Sequence, residues 1–238
     1  MSKPDRREKP TKNDKDVLDE LGDLIAENVK KGKAKLEVLI EEAKKDKPKD
    51  QKDDEFLGYL RAFIDDRNIA AITPSSRFIV KRVVKGMNLE RAKIVVEYGA
   101  AQGVMTRRIL EKLPADARLV AVEFNKRLYD ELARSVRDPR LVTVHGDVRR
   151  IDEILAGLGI RFGEVDAVTS GVPFSYFSNR ARHELLLKTS EMLRPGGRFV
   201  PYQVTTHLIP LLKDYFASVD TQFEVRNIPP HFVFTAIK

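Results

Sequence analysis

The chain contains no cysteine among its 238 residues, which excludes disulfide bonds and thiolate metal ligands. Its four histidines show no spacing typical of a metal site, so no metal ion is expected. No apolar run approaches the roughly 20 residues that a membrane-spanning helix needs, and the first ten residues lack the apolar core of a signal peptide. These absences predict a protein of the reducing cytoplasm.

The charge balance is basic, with 43 Lys and Arg against 36 Asp and Glu and a formal net charge of +7. Such a chain favours an anionic partner, and both nucleic acid and an anionic membrane surface fit that requirement. Hydrophobic residues make up 42% of the chain and charged residues 33%, which is typical of a globular protein. The length is enough for one large α/β domain with an appendage.

The N-terminal part differs in composition from the rest of the chain. Residues 1–13 contain five basic residues and two prolines with almost nothing apolar, and we expect a disordered basic tail. In residues 14–45, apolar side chains recur at steps of three and four, which predicts an amphipathic helix, or two helices broken near Gly32. Residues 14–52 are therefore interpreted as a helical extension and linker, and the helix 14–45 is a candidate homo-oligomer contact.

A second amphipathic segment, at 56–67, predicts a helix with an apolar face on one side and charged residues on the other. The apolar face consists of Phe56, Leu60, Phe63 and Ile64. A turn with an N-cap residue follows at 72–76 and leads into a helix predicted over 77–85.

From residue 93 onward, short apolar β-type segments alternate with helical patterns, which indicates an α/β fold with a parallel sheet. The predicted strands lie at 93–98, 118–123, 140–144, 164–170, 197–204, near 220–226 and at 231–237. The predicted helices lie at 104–112, 126–136, near 150–157, at 180–193 and at 208–217.

The first three of these strands end on acidic residues at nearly even intervals. Glu97 and Glu123 are 26 residues apart (123 − 97), and Asp147 follows 24 residues later (147 − 123). Because the carboxyl ends of parallel strands share one edge of a sheet, we expect a nucleotide-type site there. The glycines of residues 99–103 let the backbone approach a ligand, and a carboxylate after the second strand can accept hydrogen bonds from both ribose hydroxyls. A dinucleotide and S-adenosylmethionine both fit such a unit.

The dinucleotide fingerprint G-x-G-x-x-G is not met, because Gly99 and Gly103 are four residues apart and no third glycine follows. The ordered set of glycine turn, Glu123 and Asp147 resembles the class I S-adenosylmethionine-dependent methyltransferases. The resemblance implies a Rossmann-like sheet of seven strands whose last hairpin is antiparallel, with an N-terminal helical extension. It also implies methyltransferase activity with S-adenosylmethionine as cofactor.

The same resemblance assigns roles to the acidic residues. Glu97 would orient the amino group of the cofactor, Glu123 would bind the ribose, and Asp147 would accept a hydrogen bond from adenine, cap the helix after it, or do both. Ala101 stands where most members have glycine, so either its methyl group weakens cofactor binding or the loop shifts to admit the cofactor. The predicted cofactor residues are Ser75, Ser76, Glu97, Gly99, Ala101, Gly103, Glu123, Phe124, Asp147, Val148 and Ser170.

The segment after the fourth strand, residues 170–174, faces the reactive methyl group in this fold. Methyltransferases that act on adenine carry an amide or acid there, followed by proline and an aromatic residue. This chain keeps Pro173 and Phe174 but has Ser170 and Gly171 in place of the amide, which favours an aliphatic amine over a flat base.

Aromatic residues near this segment could face a cationic head group, or they could simply cap the core. Two arginines just beyond them are candidates for a lipid phosphate or for an ordinary solvated helix start. The predicted substrate-binding residues are Gly171, Pro173, Phe174, Phe177, Arg180 and Arg182. The candidates for uptake of the amine proton are Tyr176, Tyr202 and His207, and the proton could also leave to water.

A narrower resemblance rests on segments that occur together, namely Phe56-Leu57, Ala71-Ile72-Thr73-Pro74-Ser75-Ser76, Ser170-Gly171-Val172-Pro173, Leu193-Arg194-Pro195-Gly196-Gly197 and Asn227-Ile228-Pro229-Pro230. With the glycine turn, they resemble the bacterial phospholipid N-methyltransferases over residues 56–238. That resemblance implies an amino-lipid substrate, an anionic membrane surface as partner, and a peripheral location on the cytoplasmic face.

It also implies a methyltransferase domain over 53–238, whose helices within 56–86 contact the membrane and cover the cofactor. Two other hypotheses remain open on the sequence. One is a methyltransferase that acts on RNA or on a small amine, for which the missing amide argues against an adenine target. The other is a cofactor-free, membrane-associated scaffold.

Overall fold

The structure is a computed structural model that describes residues 76–227 and 230–238, all of them within the compact unit Lys52–Lys238. The side chain of Tyr176 is outside the description. Several predictions also fall outside it, namely the tail 1–13, the extension 14–52, the helix 56–67 with Phe56, Leu60, Phe63 and Ile64, and Ser75. These remain predictions.

Seven strands form one sheet in the order β3-β2-β1-β4-β5-β7-β6. The strands are β1 (Ile94–Tyr98), β2 (Arg118–Glu123), β3 (Leu141–His145), β4 (Val165–Ser170), β5 (Leu193–Gln203), β6 (Ser218–Glu224) and β7 (His231–Ile237). The helices are α1 (Arg77–Met87), α2 (Val104–Leu110), α3 (Lys126–Ser135), α4 (Ile151–Gly157), α5 (Asn179–Met192) and α6 (Leu208–Tyr215). Short 3₁₀ turns occupy Leu89–Arg91, Val148–Arg150 and Phe174–Tyr176.

The first five strands run parallel, and β7 pairs antiparallel with both β5 and β6. This arrangement confirms the predicted α/β, Rossmann-like sheet of seven strands with an antiparallel last hairpin. Strands β1, β2 and β4 are buried almost throughout, because helices cover both faces of the sheet. Their continuous apolar runs reflect this burial on two sides.

Two apolar layers hold the helices on the sheet. One layer joins α4, α5 and α6 to the face that carries Tyr98 and Phe199. The other joins α1 and α2 to the opposite face, where Val95 and Val200 lie. Successive residues of a strand point to opposite faces, so Glu97 lies on the side of α1 and α2.

Helix α1 begins at an N-cap, Ser76, whose hydroxyl oxygen accepts from the backbone N–H of Ile79. It ends where Asn88 takes a left-handed conformation, with φ of 55°. Its buried face packs beside β5 and β7, which brings the start of the helix to the loop that joins β6 and β7.

The fifth strand begins earlier than the sequence predicted, at Leu193 instead of residue 197. Leu193 pairs with Val165 of β4, and the register then shifts before Arg198 pairs with Ala167. The intervening turn is tied to the end of the chain, because the N–H of Gly196 donates to the carbonyl of Lys238 and the N–H of Lys238 donates to Gly197. Pairing with distant strands therefore extends the element across a segment whose local sequence predicts a turn.

No helix of the described residues is long and apolar enough to cross a membrane. Within the same residues, no group of three or more His, Cys, Asp and Glu side chains could hold a metal ion.

Candidate active site

The predicted cofactor residues with described positions lie at one edge of the sheet. Tyr98 at the end of β1 pairs with Val122 of β2 on one side and with Ser170 of β4 on the other. Beyond this row, the N–H of Gly171 donates to the carbonyl of Tyr98 at 3.1 Å. The glycine turn, the second strand and the segment after β4 therefore meet at the carboxyl edge, where ligands bind in open α/β sheets.

The glycine turn alternates left-handed residues, with φ of 73° at Gly99, 47° at Ala101 and 79° at Gly103. A Cβ at Gly99 would lie 2.9 Å from Val172 Cγ2, and one at Gly103 would lie 2.6 Å from Leu132 Cδ1. At both positions a side chain would be strained by the left-handed backbone and would displace a neighbouring methyl group. Ala101 is exposed, so its methyl group fits the turn, although its backbone conformation costs roughly 1–2 kcal/mol.

Glu123 holds this turn against the second strand. Its Oε2 accepts from the N–H of Ala101 at 2.8 Å, and its Oε1 accepts from the N–H of Asn125 at 2.8 Å. The residue is only 4% exposed, and burial raises the pKa of its carboxyl although the backbone hydrogen bonds lower it. Each carboxylate oxygen can accept a second hydrogen bond, so the group can also bind two hydroxyls of a ligand.

Glu97 is a buried acid, 2% exposed, so it is not a solvated carboxylate at the edge of the sheet. Its Oε2 accepts from the hydroxyl of Thr106 at 2.6 Å. Burial raises the pKa of Glu97 to about 8; the hydrogen bond from Thr106 lowers it, and the nearby charge of Glu123 raises it further. A cation bound beside this carboxyl would favour its ionised form.

Asp147 acts as an N-cap, as one of its two predicted roles required. Its Oδ1 accepts from the N–H of Arg149 at 2.9 Å, and its Oδ2 accepts from Nε of the same residue at 2.8 Å. The turn that it caps buries Val148. Nearby, His145 Nε2 lies 3.1 Å from the carbonyl oxygen of Phe124, which ties the ends of β2 and β3 together.

The segment after β4 is held from below by Gln203. Its Oε1 accepts from the N–H of Phe174 at 3.2 Å, and its Nε2 donates to the carbonyl of Val172 at 2.9 Å. The buried hydroxyl of Ser170 accepts from the N–H of Val172. The side chain of Gln203 thus fixes the position of this segment through two hydrogen bonds. The sequence analysis did not assign this role to Gln203.

Tyr202 reaches the same segment from the opposite side. A Cβ at Gly171 would lie 2.5 Å from the Tyr202 hydroxyl oxygen and 3.7 Å from the carbonyl oxygen of Gly99. Gly171 therefore leaves room for the tyrosine hydroxyl next to the glycine turn. Of the predicted proton acceptors, Tyr202 is the one that the described contacts place at this point.

Two of the predicted substrate-binding residues lie in the apolar core and not at the open edge of the site. Phe174 and Phe177 are 2% and 3% exposed, and their rings form a T-shaped pair in the core, where Phe174 also contacts Phe199. The prediction that they face a head group is wrong for this conformation, because burial of their apolar surface is more favourable than exposure at the edge. The burial of these two rings agrees with the alternative that they cap the core.

The remaining predicted residues lie at the edge or beyond it. Arg180 donates to Glu184 at 2.7 Å, and Arg182 donates to Asn179, all on the first turns of α5. His207 is exposed at the start of α6.

The sequence analysis missed three side chains near the site, Thr106, Gln203 and Asn227. Asn227 begins one of the segments that carry the narrower resemblance, so the sequence contained a signal for it. Thr106 and Gln203 had no such signal, because each is recognised only through its tertiary partner, Glu97 for Thr106 and the backbone after β4 for Gln203.

The residues of this edge fit S-adenosylmethionine as a ligand. Glu123 retains acceptor capacity for a ribose diol, and Glu97 offers a buried carboxyl for an ammonium group. The turn 99–103 presents backbone in left-handed conformations with no side chain beyond a methyl group at its centre.

Comparison with known proteins agrees with this geometry. A methyltransferase domain family matches residues 95–197. The ornithine lipid N-methyltransferase of Singulisphaera acidiphila is 31% identical over 187 residues, which cover 74% of this chain and 92% of that protein. The ribosomal RNA small subunit methyltransferase A of Geobacter metallireducens is 31% identical over 112 residues, covering 44% of this chain and 40% of that protein.

Among solved structures, a similar chain is 1,6-didemethyltoxoflavin-N1-methyltransferase of Burkholderia thailandensis, with bound 1,6-didemethyltoxoflavin and S-adenosylhomocysteine. It has a TM-score of 0.59 and 19% identity, and the match covers 77% of this chain and 86% of that one. At this identity the likeness supports the fold.

The fold and the site define a class I S-adenosylmethionine-dependent methyltransferase, and the chain is an enzyme that uses S-adenosylmethionine. Within that class the chain belongs to the family of amino-lipid N-methyltransferases, because the match to the ornithine lipid enzyme spans nearly the whole of that relative. The hypothesis of a cofactor-free scaffold is therefore wrong.

Proposed function

We propose that this enzyme methylates the amine of a phospholipid or amino-lipid head group at a membrane surface. The observation that carries the proposal is the match to an ornithine lipid N-methyltransferase over 92% of its length. The segment after β4 adds support, because Ser170 and Gly171 stand where a methyltransferase that acts on adenine would need an amide or acid.

The cofactor residues are proposed as they were predicted from the sequence. Glu123 accepts from the ribose hydroxyls with the lone pairs that its two backbone hydrogen bonds leave open. Glu97 pairs with the amino group of the cofactor, and Asp147 accepts from adenine beside Val148. S-adenosylmethionine supplies an electrophilic methyl group on a sulfonium centre.

The amine must lose a proton before it can attack. An aliphatic ammonium resembles that of lysine, with a pKa of about 10.4, so a protonated head group has no lone pair to donate. The Tyr202 hydroxyl occupies the space beside Gly171, which makes it the preferred relay among the residues with described side chains, taking the amine proton as it gives its own to water. His207, which is exposed, and Tyr176 remain predicted alternatives.

Orientation of the amine accounts for most of the proposed rate enhancement. The support of residues 170–174 by Gln203, and of the glycine turn by Glu123, keeps the two halves of the site rigid. The methyl acceptor therefore meets backbone groups whose positions are set before it binds.

The membrane part of the proposal rests on the sequence. Helix 56–67 would insert Phe56, Leu60, Phe63 and Ile64 into the interface, and the basic chain would be drawn to anionic lipid. The domain then extends over 53–238 on the inner face of the membrane, preceded by the extension 14–52.

A direct assay tests the substrate. Purified enzyme with S-adenosylmethionine is offered vesicles that contain phosphatidylethanolamine, vesicles that contain ornithine lipid, free ethanolamine, and ribosomal RNA, and methyl incorporation is measured by mass spectrometry. We expect transfer to lipid amine and at least tenfold less to the soluble amine, because the membrane concentrates and orients the acceptor. Glu123→Ala, which removes the ribose partner, should reduce transfer to every acceptor.

The alternative of an RNA substrate has two observations in its favour, the net charge of +7 and the partial match to a ribosomal RNA methyltransferase. In the same assay it requires transfer to RNA in the absence of vesicles. Transfer to RNA with none to lipid would overturn the lipid proposal and establish this alternative.

A further inference from the structure

Asn227 joins the start of α1 to the segment between β6 and β7, which lies 151 positions later in the chain. It follows β6, it is 3% exposed, and it begins the Asn-x-Pro-Pro segment. Its Oδ1 accepts from the backbone N–H of Ser76 at 3.1 Å, and its Nδ2 lies 2.9 Å from His231 Nδ1. One buried amide therefore contacts both the start of α1 and the first residue of β7.

The contact with Ser76 determines how the amide is oriented. A backbone N–H can only donate, so the atom of Asn227 that faces Ser76 must be the oxygen. The NH₂ group then faces His231 and donates to Nδ1. A histidine nitrogen that accepts a hydrogen bond carries no proton, so neutral His231 holds its proton on Nε2.

His231 lies on the side of the sheet where the methyl acceptor is expected. Its ring centroid is 6.1 Å from that of Tyr202, whose hydroxyl stands beside Gly171. Its cross-strand partner is Glu224, a buried carboxylate that accepts hydrogen bonds from Arg82 and Arg226. The charge of Glu224 is thus compensated by two arginines next to the histidine.

We propose that Asn227 is a positioning residue that fixes the start of α1 and holds His231 as a neutral hydrogen-bond donor through Nε2. His231 then orients its neighbours or a substrate acceptor, and it does not remove the proton of the amine. The inference rests on the proposed function only for its effect on turnover, because the tautomer and the contact with Ser76 are properties of the protein alone.

Nuclear magnetic resonance of ¹⁵N-histidine protein tests the tautomer without activity. In the wild type at neutral pH, Nδ1 of His231 should show the shift of an unprotonated nitrogen and Nε2 that of a protonated one. Asn227→Asp replaces the donor by a second acceptor, so the proton should move to Nδ1 and His231 should titrate at higher pH. His207, which is exposed, is the internal reference, and Asn88→Asp is the matched variant, since it makes the same change at an exposed site.

Amide exchange at Ser76 separates the two contacts. Asn227→Ala removes the acceptor and should speed exchange at Ser76, whereas Asn227→Asp retains an oxygen and should keep the protection. A wild-type His231 with its proton on Nδ1, an unaltered tautomer in Asn227→Asp, or unchanged exchange in Asn227→Ala would each overturn the proposal.

Turnover then distinguishes a donor from a base. His231→Gln keeps an N–H donor near the Nε2 position and should retain more activity than His231→Ala, whereas a catalytic base would be lost equally in both. Asn227→Asp should reduce kcat by roughly tenfold, the scale expected for the loss of one supporting hydrogen bond. Full kcat in Asn227→Asp would overturn the positioning role. Absence of methyl transfer by the wild type would count against the proposed function alone and leave the tautomer result standing.

Discussion

At the scale of single residues, the site depends on two buried acids that follow adjacent strands. Glu123 is engaged by two backbone N–H groups, whereas Glu97 has the hydroxyl of Thr106 as its partner. Burial raises the pKa of both carboxyls; backbone donors oppose this effect at Glu123, whereas at Glu97 the opposing hydrogen bond comes from Thr106. The two carboxyls therefore suit different tasks, one as an acceptor for hydroxyls and one as a partner for a cation.

Titration of the Glu97 carboxyl should make the free energy of unfolding depend on pH. Its pKa in the folded protein, about 8, lies above the ordinary value of 4.5, so the folded state holds a proton that the unfolded chain releases. The resulting stabilisation is complete below pH 4.5 and is lost as the pH rises through 8, at about 1.4 kcal/mol per pH unit between the two values. Thermal melts without cofactor should show that Glu97→Gln gains stability relative to wild type from pH 5 to pH 9; a constant difference would contradict this assignment.

Replacement by glycine should have opposite effects on stability at Ala101 and at the neighbouring Ala100. Ala101→Gly removes a left-handed alanine that costs roughly 1–2 kcal/mol, partly offset by about 0.5–1 kcal/mol of glycine entropy, so a small gain in stability is expected. Ala100→Gly is the matched control, because Ala100 is buried and not left-handed, and it should destabilise by about 1 kcal/mol. Urea unfolding measures both, and calorimetry with S-adenosylmethionine shows whether the methyl group at 101 also weakens binding.

At the scale of elements, an ion cluster ties α1 to the last hairpin. Glu224 is fully buried at the end of β6 and accepts from Arg226 at 2.7 and 2.8 Å and from Arg82 of α1 at 2.5 Å. The guanidinium of Arg226 also stacks over Phe78 at 4.1 Å. The hydrogen bonds from Arg226 lower the pKa of Glu224 to about 2 despite its burial, and Arg82 adds to this effect.

Glu224→Gln should therefore loosen α1 from the sheet. It leaves two arginines without their buried counter-charge, and we expect a loss on the order of 2–3 kcal/mol, below the value for a fully buried pair because the Arg226 side chain is 55% exposed. In the wild type this stabilisation is present above pH 4.5 and is lost as the pH falls towards 2. Glu153→Gln, at an exposed pair with Arg150, should leave the urea midpoint almost unchanged in the same titration.

At the scale of the whole molecule, binding chemistry is gathered at one edge of the sheet. The ends of β1, β2 and β4, the support from Gln203 and the contact between Asn227 and Ser76 all lie at the carboxyl edge. Phe162 lies at the opposite edge, exposed in the loop that precedes β4. If the enzyme works on lipids, membrane contact must involve the carboxyl edge and the segment before α1.

Co-sedimentation with anionic vesicles tests this contact. Phe63→Glu should weaken binding at every salt concentration, because it removes apolar insertion, while added salt should weaken the wild type only in part. Phe162→Glu makes the same change at the opposite edge and should leave binding unaltered. If the two variants behave alike, or if Phe63→Glu unfolds the protein, then Phe63 has no specific role at the membrane.

The sequence by itself determined the strands, their order of occurrence and the glycine turn with its acids. These follow from local rules, since apolar β-type runs, left-handed glycines and an acid after a strand act within a few residues of the chain. The residues at 97, 123 and 147 could be placed at one edge because parallel strands impose that geometry.

Only the tertiary structure decided what each side chain meets. The local sequence around Phe174 and Phe177 predicted a substrate loop. Their burial depends instead on Phe199, which lies on a strand that is distant in sequence. The contact between Ser76 and Asn227 spans 151 positions and exists because β7 inserts between β5 and β6, which brings the end of the hairpin to the start of α1. Hydrogen-bond partners across a sheet follow from strand order, and local sequence carries no record of that order.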